Sequence, residues 1–286
     1  MINKQIWHEK LHCHLGQYFL IDKILYQKKN KYHDIKIFDN LVMGKIMTID
    51  DIVQTTEKDE FIYHEMLSHV PIFSHGFIKD VLIIGGGDGG ILREICKHKS
   101  INSITMVEID INIINLCKKY FPNHSNNAYE DARLQLIIDD GLNFVKNTNK
   151  KFDLIISDST DPVGSGESLF FPDFYLNCKK NLKKNGIFVA QNGISFFQIN
   201  EIISTYKNLK KYFHDTTFYQ ATIPTYYGGA MMFAWGSDNI KLRLITLEQL
   251  ISRIKKTKLI FNYYNPQIHI SSFALPQYII NTLDKS

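Results

Sequence analysis

Four carboxylates stand at or just beyond the ends of short apolar runs. Val81–Ile84 leads into Gly85-x-Gly87-x-x-Gly90, with Asp88 inside the turn; Ile104–Val107 ends at Glu108; Leu134–Ile138 ends at Asp139-Asp140-Gly141; and Leu154–Ser157 ends at Asp158. A G-x-G-x-x-G between an apolar run and a helix normally receives phosphate at the helix N-terminus. A carboxylate in that turn repels phosphate, by roughly several kcal/mol in a partly dry site. Asp88 therefore points to a ligand that is cationic there. Glu108 lies 18 residues after Gly90, where an acid grips ribose hydroxyls. Asp140-Gly141 suits acceptance of a hydrogen bond from an adenine amine. Taken singly, each acid also reads as a helix N-cap or a solvated turn residue. In an open α/β sheet, however, strand carboxyl ends converge on one crevice, which gathers all four.

Two further stretches bear on chemistry. Asp158–Ser168 is rich in Gly and Ser and reads as a lid over the cleft, hinged at Gly164 and Gly166, within a loop spanning about 158–170. Asp158 and Asp161 at its root suit catalysis or amine binding; a plain surface loop is the alternative. Ile223-Pro224-Thr225-Tyr226-Tyr227-Gly228-Gly229 puts exposed tyrosines on a turn. Their rings either pack in the core or line a channel for an alkyl chain bearing ammonium groups.

The elements that must position these groups follow from periodicity. From residue 80 the pattern alternates β-α-β-α, with helices predicted at 89–98, 110–120, 140–147, 172–184 and about 196–211. Strands are predicted at 187–190, 218–223 and 231–235, in addition to the four apolar runs. This alternation predicts an α/β fold with a doubly wound, mainly parallel sheet. The first 55 residues predict a small antiparallel β-domain, with strands near 17–21, 24–27, 34–38 and 44–49 and turns at Asp39-Asn40 and Asp50-Asp51. Residues 56–286 are expected to form a second, larger domain, the one that would carry the catalytic groups. Thr56-Glu57-Lys58-Asp59 resembles a capping box, placing a helix start near Thr56 with Pro71 close to its end. The tail, 245–286, predicts one helix and an irregular end.

Composition narrows the function classes. The chain has 286 residues, 44% of them hydrophobic, enough for a large core. Its net charge of +4 is modest and unblocked, which argues against a nucleic-acid partner. No apolar run approaches the ~20 residues of a membrane span, and the N-terminus lacks a signal-peptide core. The four cysteines, Cys13, Cys96, Cys117 and Cys178, are scattered without a C-x-x-C, as expected in a reducing cytoplasm.

Across nearly the whole chain the sequence resembles the spermidine synthase family of polyamine aminopropyltransferases, in its bacterial style. The resemblance is carried by Gln17-Tyr18-Phe19, Val53-Gln54-Thr55-Thr56-Glu57, Asp59 through Met66, Gly85–Gly90, Val107-Glu108-Ile109-Asp110, Asp139-Asp140-Gly141, Asp158 through Pro162, and Pro224-Thr225-Tyr226. It implies a Rossmann-like fold of the class I methyltransferase type and a homodimer or larger homo-oligomer. It also implies transfer of an aminopropyl group from decarboxylated S-adenosylmethionine to putrescine, giving spermidine and 5'-methylthioadenosine. Neither a metal nor a redox cofactor is expected. By resemblance Asp158 accepts the proton. Glu108, Asp140 and Gly141 hold adenosine, Asp88 and Asp161 face amines, and Gln54, Tyr63, His64 and Tyr226 line the channel. Glu9 is assigned to the distal ammonium. The pattern departs at His33, where the family has Gln, and at Ser165, where it has Pro. Two rivals share features with this reading: a methyltransferase using intact S-adenosylmethionine, and a polyamine-binding protein without turnover. Asp88 argues against the first because it repels the methionine carboxylate. Asp158 with the Tyr63 and Tyr226 channel argues against the second.

Overall fold

The computed structural model describes residues 5–30, 34–159 and 164–286. Near the N-terminus β1 (Gln5–His8) pairs antiparallel with β2 (Tyr18–Ile21). A four-stranded antiparallel sheet follows: β3 (Lys23–Lys29), β4 (Asp34–Asn40), β5 (Gly44–Ile49) and β6 (Ile52–Thr56), in that order. The β5–β6 hairpin turns on Asp50 and Asp51, both in left-handed conformation, as the tightest hairpins require. Helix α1 (Glu60–His75) then leads into the second layer system.

That system is built on one seven-stranded sheet. Its parts are β7 (Asp80–Gly85), α2 (Gly90–Cys96), β8 (Ser103–Glu108), α3 (Ile111–Tyr120), the single turn α4 (Pro122–Ser125), β9 (Leu134–Ile138), α5 (Gly141–Asn147), β10 (Phe152–Asp158), α6 (Pro172–Asn181), β11 (Leu182–Ile194), α7 (Ile199–Lys210), β12 (Asp215–Ala221) and β13 (Met231–Ser237). The strand order is β12-β13-β11-β10-β7-β8-β9; β13 alone runs antiparallel to both its neighbours. The tail adds α8 (Ile240–Arg243), α9 (Leu247–Thr257), α10 (Pro266–Ser272) and α11 (Gln277–Asp284). No helix among the described residues is long and apolar enough to cross a membrane.

The sheet explains the unbroken apolar runs in the sequence. Val81, Ile83, Ile104, Leu154, Ile156 and Val189 pack on one side with α1, α2 and α9 residues such as Met66, Leu92 and Leu250. Leu82, Ile84, Val107, Ile155 and Phe188 pack on the other with Val145, Phe174 and Ile202. Alternate side chains point to opposite faces, and both faces are covered, so every position must be apolar.

Several boundaries differ from the sequence reading. The Thr56–Asp59 pair does touch, with Thr56 Oγ1 donating to Asp59 Oδ1 at 2.7 Å. But Thr56 closes β6 and Asp59 is the N-cap, whereas Pro71 does lie close to the end of α1. The Asp39-Asn40 turn falls instead at 41–43, because both residues still pair with β5. Residues 182–184 end no helix; they begin β11, where Leu182 pairs with Phe152. The tail holds three helices after α8 rather than one. The Gly/Ser stretch is not irregular throughout, since Gly164–Phe170 winds as a 3-10 helix.

Candidate active site

β7 and β10 are neighbours in the sheet, yet the chain runs out through β8 and β9 between them. The carboxyl ends of β7, β8 and β10 therefore flank a reversal of strand order, where open α/β sheets bind their ligands. A cavity opens there. Every described candidate lines it: Glu9, Gln54, Tyr63, His64, Asp88, Glu108, Asp140, Gly141, Asp158 and Tyr226. His33 and Asp161 lie outside the described residues, as does the side chain of Ser165.

The fingerprint glycines make room for side chains of the site. Gly85 has φ +79°, and a Cβ on it would stand 1.9 Å from the carbonyl oxygen of Asp158. A Cβ on Gly87 would meet Glu108 Oε2 at 2.9 Å; one on Gly90 would meet the His64 ring at 2.2 Å. Asp88 bends back so that its Oδ1 accepts the Gly90 N–H at 2.8 Å. It occupies the helix N-terminus that phosphate would otherwise take. The turn carries its own anion.

One wall of the cavity is charge-paired. His64 Nδ1 lies 2.5 Å from Glu60 Oε2, and His64 Nε2 lies 3.1 Å from Asp88 Oδ2. Arg93 grips both oxygens of Glu60 at 2.9 Å. Burial alone would disfavour the charged form of each of these groups. For Asp88 the His64 charge and hydrogen bond, His124 and the Gly90 N–H outweigh it, holding the carboxyl well below its usual range. His64 is likewise carried from 6.5 to about 10, against burial, by Asp88 and Glu60. Glu60 is held at about 2, again against burial, by His64 and Arg93.

The wall formed by Asp158 and Glu108 lacks such partners. Asp158 Oδ1 accepts the Tyr63 hydroxyl. Burial, then the charge of Asp88, pushes Asp158 up to about 7. Burial also pushes Glu108 up to about 7, although the N–H groups of Asp110 and Ile109 pull the other way. Among the described residues no ion pair reaches either carboxyl. Asp140 does what the plainer reading of it allowed: its Oδ1 caps α5 by accepting the Asn143 N–H at 2.8 Å. It lines the cavity as well.

The N-terminal sheets close the remaining side. Glu9 Oε1 accepts the Val53 N–H at 3.0 Å and Glu9 Oε2 accepts Gln17 Nε2 at 3.2 Å. The Tyr226 hydroxyl donates to the Gln54 carbonyl at 2.5 Å, so Tyr226 is tethered rather than exposed. Asp59 Oδ2 accepts both the N–H and the hydroxyl of Thr225 at 2.7 Å, fixing that turn.

Sequence reasoning missed Glu60, Asp59, Arg93 and Gln191. The Glu60–His64 pair carried a legible signal, because i and i+4 share a helix face. Asp59 was visible only as a cap. Arg93 and Gln191 become neighbours of the site through packing alone.

Comparison with known proteins agrees with this geometry. Residues 60–247 match the spermine/spermidine synthase domain, and residues 6–57 match the spermidine synthase tetramerisation domain. The chain is 72% identical over 286 residues to a polyamine aminopropyltransferase of Buchnera aphidicola subsp. Schizaphis graminum, covering 100% of both. It is 55% identical to one from Erwinia tasmaniensis, covering 99% of each. A crystal structure of spermidine synthase in complex with the transition state analogue AdoDATO superposes with a TM-score of 0.93 at 35% identity, covering 99% of this chain and 96% of that one. The spermidine synthase of Thermotoga maritima gives 0.91 at 34%, with the same coverage. A doubly wound sheet with acids at its strand reversal, matched from end to end by these relatives, places the chain in the spermine/spermidine synthase family.

Proposed function

We propose that this cavity transfers the aminopropyl group of decarboxylated S-adenosylmethionine to putrescine, yielding spermidine and 5'-methylthioadenosine. Aminopropyl transfer is the activity that the names of the relatives carry; putrescine as the acceptor is our reading. The observation behind it is the split of the cavity into two walls. One holds an ionised carboxylate, Asp88, for the donor's ammonium. The other holds Asp158, poised to change protonation, beside Tyr63.

In this reading Glu108 accepts hydrogen bonds from the ribose hydroxyls, and Asp140 with Gly141 receives the adenine. Tyr63, Gln54 and Tyr226 flank the alkyl chain of the acceptor, and Glu9 meets its distal ammonium. The amine nitrogen must sit about 3–3.5 Å from the carbon next to sulfur, in line with the breaking bond. A C–N bond forms as the C–S bond breaks; the electron pair leaves with sulfur, which becomes a neutral thioether. The amine's surplus proton passes to Asp158. An ordinary carboxylate is a weak base for an amine near pKa 10. Asp158 at about 7 is a better one, and accepts the proton as the bond forms. The displacement as written calls for neither metal nor redox cofactor.

The same reading divides the chain at residues 1–55 and 56–286: the N-terminal sheets supply Glu9 and Gln54, and the rest supplies the acids. It also takes the protein to be a cytoplasmic homo-oligomer, a dimer or larger. Four free cysteines suit a reducing compartment. The tetramerisation-domain match and the exposed Ile6, Tyr18 and Leu20 on β1 and β2 support self-association.

The test is a turnover assay with putrescine, cadaverine and spermidine, paired with donor titrations. Decarboxylated donor is expected to bind at least about tenfold tighter than S-adenosylmethionine, a gap of about 1.4 kcal/mol. Equal affinities, or methyl transfer from the carboxylated compound, would refute the reading.

A further inference from the structure

The cation facing Asp88 in this structure is part of the protein, and it is held from behind. His64 touches Asp88 on one side and Glu60 on the other. Glu60 is itself fixed by a two-point grip from Arg93. Arg93 is anchored in turn: its guanidinium donates to the carbonyls of Asn123 at 3.0 Å and His124 at 2.8 Å, and to Glu94 Oε1 at 2.8 Å. Glu94 is held by Lys97 and by His69, whose ring pairs with His98. The chain of contacts runs from a packed helix pair, α1 against α2, to the cavity surface. Gly90 completes it, because any Cβ there would collide with the imidazole.

We propose that Glu60 and Arg93 are positioning residues. They hold His64 against Asp88, so that the Asp88 carboxylate is presented ionised and in one orientation to the ammonium end of the donor. The inference rests on the reading of Asp88 given above and deepens it.

The physical need is clear from the neighbours. Asp88 is buried in one cavity with Asp158, and two like charges near each other drive one to take up a proton. A protonated Asp88 would not attract an ammonium. His64 prevents this only while it is itself charged. The charged and titratable groups that face its ring are Glu60 and Tyr63 from α1, Asp88 from the turn, Arg93 behind Glu60, His124 from α4 at 6.2 Å between ring centroids, and Asp158 at the end of β10. Of these only Glu60 and Asp88 bond to the ring nitrogens. With Gln at position 60, the amide can donate to Nδ1, and the ring then serves Asp88 as a neutral donor. The carboxylate loses its cation while Arg93 loses one of its two carboxylate partners.

The experiment uses the full-length protein and two nucleosides that differ in the ammonium: the decarboxylated donor and 5'-methylthioadenosine. In Glu60→Gln, donor affinity is expected to fall about tenfold near neutral pH, the size of one weakened charge-assisted contact. Methylthioadenosine affinity should stay unchanged. Glu60→Asp, which keeps the charge, should recover most of the loss. Gly90→Ala displaces the ring without altering any charge, and should repeat the selective loss. Unchanged donor affinity in Glu60→Gln would overturn the proposal. So would an equal loss for both nucleosides, which marks a merely structural role. Nitrogen chemical shifts of His64 in the ligand-free protein provide a readout independent of turnover. The ring should be doubly protonated in the wild type at about pH 8 and singly protonated in Glu60→Gln. A singly protonated wild-type ring would overturn the clamp. If the wild type bound both nucleosides equally, the reading of Asp88 would fall, and the nitrogen shifts would still decide the clamp on their own.

Discussion

The two walls of the cavity are built from the same residue types at the same depth, yet they behave oppositely. Asp88 and Glu60 are held below the ordinary carboxylate range; Asp158 and Glu108 are pushed up to about 7. Burial acts on all four in the same direction. What separates them is the partner. His64 and Arg93 stand against the first pair, while a tyrosine hydroxyl and backbone N–H groups stand against the second. A hydroxyl or an amide solvates a carboxylate but brings no full charge, so burial prevails. One wall is thus suited to holding a fixed cation, the other to exchanging a proton.

The largest expected effect breaks the proton-exchanging wall. Asp158→Asn keeps size and some hydrogen bonding but removes basicity, and kcat should fall by about 10²–10⁴. Donor affinity should change little, since adenosine is held elsewhere. Steady-state kinetics on a variant shown to be folded by circular dichroism checks this, and a near-normal kcat would move the proton to another acceptor. Next comes Glu108→Gln, expected to weaken methylthioadenosine binding by about 1–3 kcal/mol, the scale of charged hydrogen bonds. Because Glu108 titrates near 7, Gln mimics its low-pH form. The deficit measured by calorimetry should therefore grow as pH rises through about 7, and a deficit constant with pH would contradict the contrast between the walls.

A smaller effect concerns the pH–rate profile. The acid limb of kcat/KM reports groups of the free enzyme. It should fall below about pH 7, where Asp158 becomes protonated, rather than below about 4. The smallest effect is on stability. Asp158 is raised on folding from 3.8, so its favourable contribution is complete below about 3.8 and is lost as pH rises through about 7. His64 is raised from 6.5, so its contribution is complete below about 6.5 and is lost as pH rises through about 10. Glu60 is depressed from 4.5, and its contribution is lost only as pH falls toward about 2. Melting temperatures against pH should thus flatten between about 4 and 7 in Asp158→Asn, and between about 6.5 and 10 in Glu60→Gln. The same interval flattening in both variants would mean that the walls are not separate.

Much of this contrast was legible in the sequence. The strands betrayed themselves because a doubly covered sheet demands runs such as Val81–Ile84, and the acids stood where those runs stop. Asp88 was legible as an anomaly in a turn that welcomes anions. Its pairing was not, because His64 reaches it from another element and Arg93 acts through Glu60. β6 escaped notice because five residues beside a tight turn carry too little periodicity. Lys183 and Lys184 read as helix formers until the pairing of Leu182 with Phe152 overrode propensity. The short tail helices lack a clear run of their own. One of them, α9, is amphipathic with a full capping box, while the sequence reading placed one helix in the tail without assigning its bounds.

The clamp of Asp59 on Thr225 sets a schedule for how the molecule is made. These two residues are 166 positions apart. At synthesis rates of ~5–20 residues per second, Asp59 waits roughly ten to thirty seconds for its partner to emerge. Through that interval the turn carrying Tyr226 does not exist, and the cavity has no roof on that side. Six of the seven strands of the large sheet precede it, β7 through β12, so a nascent chain makes its acids first and encloses them on that side later. Chains stalled before residue 225 are expected to leave α1 more open to protease than released full-length chains. Equal susceptibility would show that this closure comes early and owes nothing to Thr225.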